Sequence, residues 1–299
     1  HAHLSRNTLE KALTQLSAAE WIAAERANRK ARIQFTITFP GYTRGLNGIA
    51  AAQRRRGQSE HGGEWLMREF LNLLSERTQP DSIFVTGQTG VDAALTILKQ
   101  EHTFTVPELR QIDFKRNRVI AMTAHRRENL GEPMQNMFRA IRDLVEKHDD
   151  VRVVYAVHLN PAVREIAQPI LGGHPRILLL DPLPYPDMIH LAARSYMAMT
   201  DSGGIQEETP SMGVPHILMR ETTERPEAVD AGVIILSGTS YEGVYGAGEK
   251  LLNDHNFYRR MAQTKNPFGD GHASNRIVNY LGWTLGQNKT KPVEFTPGL

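Results

Sequence analysis

The run Thr200-Asp201-Ser202-Gly203-Gly204-Ile205-Gln206-Glu207-Glu208 stands between a short apolar stretch and a helix-prone one. A strand that turns into a helix at this point leaves the first-turn N–H groups unpaired, and two glycines without Cβ let an anion come close to them. Phosphate suits such a turn. A Ser-Gly-Gly also makes a tight βα turn with no ligand at all, so the carboxylates that follow matter. Glu207 and Glu208 either stabilise the first turn through its dipole or reach back to hold the two hydroxyls of a ribose. In the second case the run recognises a nucleoside diphosphate.

Two further charged runs follow apolar strands. Thr123-Ala124-His125-Arg126-Arg127-Glu128-Asn129 comes after Val119-Ile120-Ala121-Met122, and Arg220-Glu221-Thr222-Thr223-Glu224-Arg225-Pro226-Glu227-Ala228 comes after a strand ending at Met219. Ligands of open α/β sheets lie outside the carboxyl ends of the strands, which is where both runs fall. The arginines beside His125 disfavour its protonated form and offer charge to phosphates, and Arg225 can reach a phosphate or ribose oxygen. Without a ligand, the same residues read as solvated surface pairs.

The elements that must position these runs follow from the apolar pattern. Met134, Met137, Phe138, Ile141, Leu144 and Val145 recur at helical spacing, which predicts a helix from about Glu132-Pro133. Strands are predicted at Val151–Val157, Ile177–Leu180, Tyr196–Thr200 and His216–Met219, with helices at Ala162–Ile170, at Pro186–Arg194 and after Gly203-Gly204. Five strands separated by helices imply a doubly wound, mostly parallel sheet. A short apolar run at Val233–Leu236 precedes helical segments near Glu242–Leu252, Phe257–Ala262 and Ala273–Leu281, and the polar tail from Gln287 is expected to fray. Upstream, Leu9–Arg32 and Leu66–Leu74 are helix-prone, Phe35–Gly63 has no sustained period, and Ser82–Thr86 reads as a short strand.

The 299 residues, 40% apolar and 23% charged, can bury a proper core. A formal charge of +2 gives no reason to expect a nucleic-acid or membrane partner, although residues 1–60 hold ten Lys or Arg against four Glu. There is no cysteine, which excludes disulfides and thiolate chemistry, and there is neither an apolar run of spanning length nor a signal-type apolar region. The expected location is the cytoplasm.

From about Pro80 to Leu281 these runs, in this order, resemble the bacterial non-hydrolysing UDP-N-acetylglucosamine 2-epimerases. Asp81-Ser82-Ile83-Phe84-Val85-Thr86-Gly87, Val157-His158-Leu159-Asn160-Pro161 and Asn266-Pro267-Phe268-Gly269-Asp270-Gly271 match as well. The resemblance implies an α/β, Rossmann-like, doubly wound parallel sheet of glycosyltransferase-B-like type, here with an incomplete or atypical N-terminal domain. The expected divisions are 1–79 as an atypical or degraded region, 80–116 as a connection, 117–285 as the UDP-binding domain and 286–299 as a polar tail. The implied reaction interconverts UDP-N-acetylglucosamine and UDP-N-acetylmannosamine by elimination and re-addition of UDP, with no cofactor and no metal.

By motif position the resemblance gives Ser202, Gly203 and Gly204 to the diphosphate, Glu208 to the ribose, Arg225 to the UDP moiety and Met188 to the uracil. His125 becomes the active-site histidine, and Arg126 with His158 a neighbouring regulatory UDP-N-acetylglucosamine site. UDP and UDP-N-acetylglucosamine are the implied partners, and a homodimer the implied assembly. The family's N-terminal domain also supplies an Arg-containing loop and carboxylate bases, and residues 1–79 contain none of those motifs. That region is therefore either a frame-disrupted or misjoined remnant, or a different domain whose basic balance would suit a polyanion. Three functions compete: an active epimerase, a UDP-binding pseudoenzyme or truncated product, and a glycosyltransferase of the same fold.

Overall fold

The computed structural model describes residues 83–296. The expected helices at Leu9–Arg32 and Leu66–Leu74, the patternless Phe35–Gly63 and the first residue of the Ser82–Thr86 strand lie outside the described residues. Residues 93–268 form one compact unit; the described part of the other consists of 83–92 and 269–296.

The larger unit alternates strands and helices in the predicted manner. After α1 (Thr89–Leu98), which runs across the division, come β1 (Arg118–Thr123), α2 (Glu132–Lys147), β2 (Val151–Ala156), α3 (Pro161–Leu171), β3 (Ile177–Leu180) and α4 (Tyr185–Arg194). Next are β4 (Met197–Thr200), α5 (Gly203–Glu208), β5 (His216–Leu218), α6 (Pro226–Asp230), β6 (Ile234–Leu236), α7 (Tyr241–Asn253) and α8 (His255–Gln263). All six strands are parallel, in the order β3-β2-β1-β4-β5-β6. That is one strand more than expected, because the apolar run before Leu236 pairs with β5. A run of three strand residues carries too little period to be told from a loop. The segment 80–116, expected as a plain connection, holds α1 and a 3-10 turn at Pro107–Gln111.

Both faces of the sheet are covered, and β1 shows how its sequence serves both. Ile120 and Met122 join the core beneath α2 and α7, whereas Val119 and Ala121 pack with Phe104, Leu109, Val154 and Leu191 on the other side. Alternate side chains of a strand point to opposite faces, so an unbroken apolar run is what a strand buried on both sides needs. The predicted stripe of α2 is wholly buried, from Met134 to Val145. Helix ends are set by local chemistry: Asn160 Oδ1 accepts from Ala162 N at the start of α3, and Asp254 accepts from Asn256 N and Phe257 N at the start of α8. Among the described residues no helix is long and apolar enough to cross a membrane.

In the smaller unit, Asp92 accepts from Ala273 N and Ser274 N and so caps α9 (Ala273–Thr284). The expected strand over Ser82–Thr86 is, among the described residues, a single bridge position at Ile83. Part of the tail up to residue 296 packs back on its own unit. Phe295 is buried and donates its N–H to the Val85 carbonyl, and Lys291 Nζ lies 5.4 Å from the ring centre of Trp283 and 5.8 Å from those of Phe84 and Tyr280. Polar composition hid these contacts, because a lysine packs on aromatic rings through its charge and its stem alike.

Tyr155 on β2 links the core to the loop after β1. It is fully buried and its hydroxyl donates to the Ala124 carbonyl at 2.8 Å. Removing the donor leaves that carbonyl without its partner. Tyr155→Phe is expected to lower unfolding stability by about 1–2 kcal/mol in urea titrations, with an unchanged slope.

Candidate functional site

The strand order reverses between β1 and β4, so their carboxyl ends flank the crevice of a doubly wound sheet. The loops leaving these two strands are joined by one carboxylate. Asp201 is fully buried and accepts from the backbone N–H of His125 at 3.0 Å, from that of Arg126 at 2.8 Å and from Asn129 Nδ2 at 3.2 Å. The hydroxyls of Thr123 and Thr200, at the last positions of β1 and β4, meet across the same gap. Asp201 had no assigned role in the sequence, yet a signal existed: an acidic side chain beside a phosphate turn must face away from the phosphate.

Ser202 is the N-cap of α5 in extended conformation, but its side chain makes no capping bond. The first-turn N–H groups are thus left without a side-chain cap, as an anion site requires. α5 is six residues long, so these local donors carry more of the effect than any summed helix dipole. The two glycines differ. A Cβ on Gly203 would stand 3.2 Å from Arg225 Nη1, whereas one on Gly204 would meet none of the described residues within 4 Å. Gly203 therefore makes room for the arginine, and the space over Gly204 is open.

Arg225 donates through Nε to Glu207, in a pair formed between the loop before α6 and the body of α5. Burial raises the Glu207 carboxyl above its usual range and Arg225 opposes that shift. Among the described residues no cation pairs with Glu208. Its Oε1 accepts from the Tyr185 hydroxyl at 2.8 Å, and burial pushes its pKa up to about 7, with the hydrogen bond to Tyr185 resisting and the Glu207 charge reinforcing the rise. Asn266 fixes the end of α5 by donating to the Glu207 carbonyl at 2.8 Å and to Ser211 Oγ at 2.6 Å. Nearby, the buried Arg220 grips Glu224 through two bonds of 2.6 and 3.0 Å, which holds the Glu224 carboxyl down to about 2. Glu128 Oε1 stands 3.3 Å from Arg220 Nε, an ion-pair distance without hydrogen-bond alignment.

The histidine expectations fall together. The His125 and His158 rings stack at 5.4 Å, and His125 Nδ1 lies 3.5 Å from Asp201. Arg126 Nε reaches the Asp201 carbonyl at 3.3 Å, and its guanidinium comes within 3.9 Å of Glu224. Met188 lies on α4 three residues beyond Tyr185, half-buried against the core cluster that contains Leu191. The start of α4 is anchored by Asp187, which is fully buried and accepts from Thr105 N, Thr105 Oγ1, Val106 N and His102 Nε2. Tyr185 and Asp187 escaped the sequence reading because their partners lie 23 and about 80 positions away. Among the described residues no group of three or more His, Asp or Glu side chains is placed to hold a metal ion.

A parallel sheet with this strand order, and a glycine turn at its reversal point, defines a Rossmann-like α/β protein of the glycosyltransferase-B-like kind. The chain belongs to the UDP-N-acetylglucosamine 2-epimerase family, whose sequence profile matches residues 68–282. The match extends the likeness upstream of Pro80. The UDP-N-acetylglucosamine 2-epimerase of Bacillus subtilis is 49% identical over 225 residues, covering 75% of this chain and 58% of that protein. An S. aureus MnaA–UDP co-structure shares 42% identity with a TM-score of 0.70, over 76% of this chain and 60% of that one. A UDP-GlcNAc 2-epimerase from Neisseria meningitidis bound to UDP-GlcNAc shares 37% identity with a TM-score of 0.65, over 71% and 58% respectively. The chain thus spans less than two-thirds of the length of these relatives.

The raised Glu208 carboxyl has a measurable consequence. Its folded pKa of about 7 exceeds the ordinary 4.5, so the stability this group contributes is fully present below about 4.5 and is lost as pH rises through 7. Glu208→Gln does not titrate. The variant is expected to match the parent near pH 4.5 and to exceed it by about 1–2 kcal/mol at pH 8, once partial solvent access is allowed for, in denaturant titrations at the two pH values.

Proposed function

We propose that this chain binds the UDP moiety of UDP-N-acetylglucosamine at the crevice between the β1 and β4 loops, and that it serves the interconversion of UDP-N-acetylglucosamine and UDP-N-acetylmannosamine. The observation that carries the reading is the uncapped turn Ser202-Gly203-Gly204, with open space over Gly204 and the Arg225 guanidinium beside Gly203. Family membership and the UDP and UDP-GlcNAc complexes of the relatives support it. In this proposal residues 117–285 are the UDP-binding domain. The turn holds the diphosphate, Arg225 the UDP, Glu208 the ribose hydroxyls, and Met188 the uracil. His125 faces the leaving diphosphate, and Arg126 with His158 binds a regulatory UDP-N-acetylglucosamine.

The chemistry explains why donors gather there. Elimination breaks the anomeric C–O bond and the C2–H bond, leaving a 2-acetamidoglucal and UDP; re-addition of UDP at C1 with protonation on the opposite face of C2 gives the epimer. Negative charge grows on the departing diphosphate, and fixed N–H groups and a guanidinium stabilise it without rearranging. The C2 proton also needs a base.

One observation favours a second reading, binding without epimerisation. Among the described residues the crevice carboxylates are already engaged: Asp201 by backbone amides, Glu207 by Arg225, Glu224 by Arg220 and Glu208 by Tyr185. Incubation with UDP-N-acetylglucosamine in heavy water separates the readings. Deuterium at C2 together with the manno epimer marks the epimerase, and UDP binding without exchange marks the binding protein.

Both readings require the turn. In calorimetry the chain is expected to bind UDP, and Gly204→Glu, which sets a carboxylate in the open space, to weaken binding by roughly 100-fold, or about 2.8 kcal/mol, without loss of fold. No uptake of UDP by folded protein would overturn both.

A further inference from the structure

Tyr185 belongs to no expected role, and its surroundings are unusual for an aromatic side chain. It is 40% exposed, yet its hydroxyl donates at 2.8 Å to a half-buried carboxylate on another helix. Among the described residues it is the one hydrogen-bond donor to Glu208. The tyrosine also stands on fixed ground. It is the first residue of α4, between Pro184 and Pro186, and two positions on, Asp187 ties the helix start to Thr105, Val106 and His102. Pro fixes its own φ and restricts the residue before it, so the backbone on both sides of Tyr185 has little freedom. A phenol carried on a restrained backbone and bonded to a glutamate restricts the directions the glutamate can take.

We propose that Tyr185 is a positioning residue that determines nucleotide specificity: by holding Oε1 of Glu208 it presents the second carboxylate oxygen to the sugar hydroxyls of a bound ribonucleotide, and so sets the preference for ribose over deoxyribose. The inference rests on the UDP-binding reading. A carboxylate that turns freely meets a diol at an entropic cost and tolerates its absence by rotating to water. One fixed from behind loses a charged hydrogen bond, unreplaced, when the hydroxyl is missing, and that loss is the source of strong discrimination.

The electrostatics agree. Among the described residues the groups facing Glu208 are Tyr185 from α4, Glu207 from its own helix and, through Glu207, Arg225 from the loop before α6. Of these, the Tyr185 bond is the contribution that lowers the Glu208 pKa against burial and the neighbouring carboxylate. Without it the carboxyl keeps its proton to higher pH, and a protonated carboxyl is the weaker acceptor.

The test compares UDP and 2′-deoxy-UDP by calorimetry across pH 5.5 to 9 on the full chain and on Tyr185→Phe, with thermal melts to show that both fold. The parent is expected to prefer UDP by roughly tenfold or more, and Tyr185→Phe to reduce that preference to about twofold, chiefly by weakening UDP. The pH at which UDP affinity rises should move upward in the variant. A merely structural tyrosine would weaken both nucleotides alike and leave the pH profile in place, and that result overturns the proposal while leaving the UDP site intact. Failure of the parent to bind either nucleotide overturns the UDP reading and this inference with it.

Discussion

The site depends on a buried anion. Asp201, at the carboxyl end of β4, collects amides from the loop that leaves β1, and so fastens together the two loops that the reversal of strand order would otherwise let diverge. A carboxylate without solvent is costly unless its lone pairs are filled, and here backbone N–H groups fill them. The arrangement fixes the main chain of His125 and Arg126, and the Arg126 side chain adds a bond to the Asp201 carbonyl. Both side chains remain partly exposed while their backbones are held.

From that fastening the electrostatics of the crevice divide into two kinds. Glu207 and Glu224 each face a guanidinium, which balances their charge in the folded protein. Among the described residues Glu208 faces a phenol and a neighbouring carboxylate, and burial pushes its pKa up to about 7. Two adjacent glutamates on one short helix therefore have different chemistry because their partners differ, not because their sequence positions do. Glu207 serves to hold Arg225 against Gly203, and Glu208 keeps acceptor capacity for something else.

Most of the fold was legible in the sequence. The α2 stripe, the strands through β5 and the three late helices followed from apolar period, since burial of one face requires that period. What escaped has a common cause. β6 is too short to show alternation, α1 lies in a stretch read as linker, and the tail to residue 296 is held by cation–ring contacts that polar composition conceals. At the site, most of the residues proposed to face a ligand stood out in the sequence because they cluster in three runs at strand ends. Asp201, Tyr185, Asp187 and Asn266 act on other residues across the fold, and no local spacing records such partnerships.

The two glycines of the turn show how far residue type alone can be pressed. Adjacent and identical, they invite one explanation, a close approach of phosphate to both. Geometry separates them: a Cβ on Gly203 would crowd the guanidinium of Arg225, which pairs with Glu207, while a Cβ on Gly204 would meet none of the described residues within 4 Å. Open space above an exposed glycine at the reversal point of a parallel sheet leaves room for an outside group. In the proposed function the open side of the turn at Gly204 receives the diphosphate, and Arg225 beside Gly203 brings its charge to the same turn.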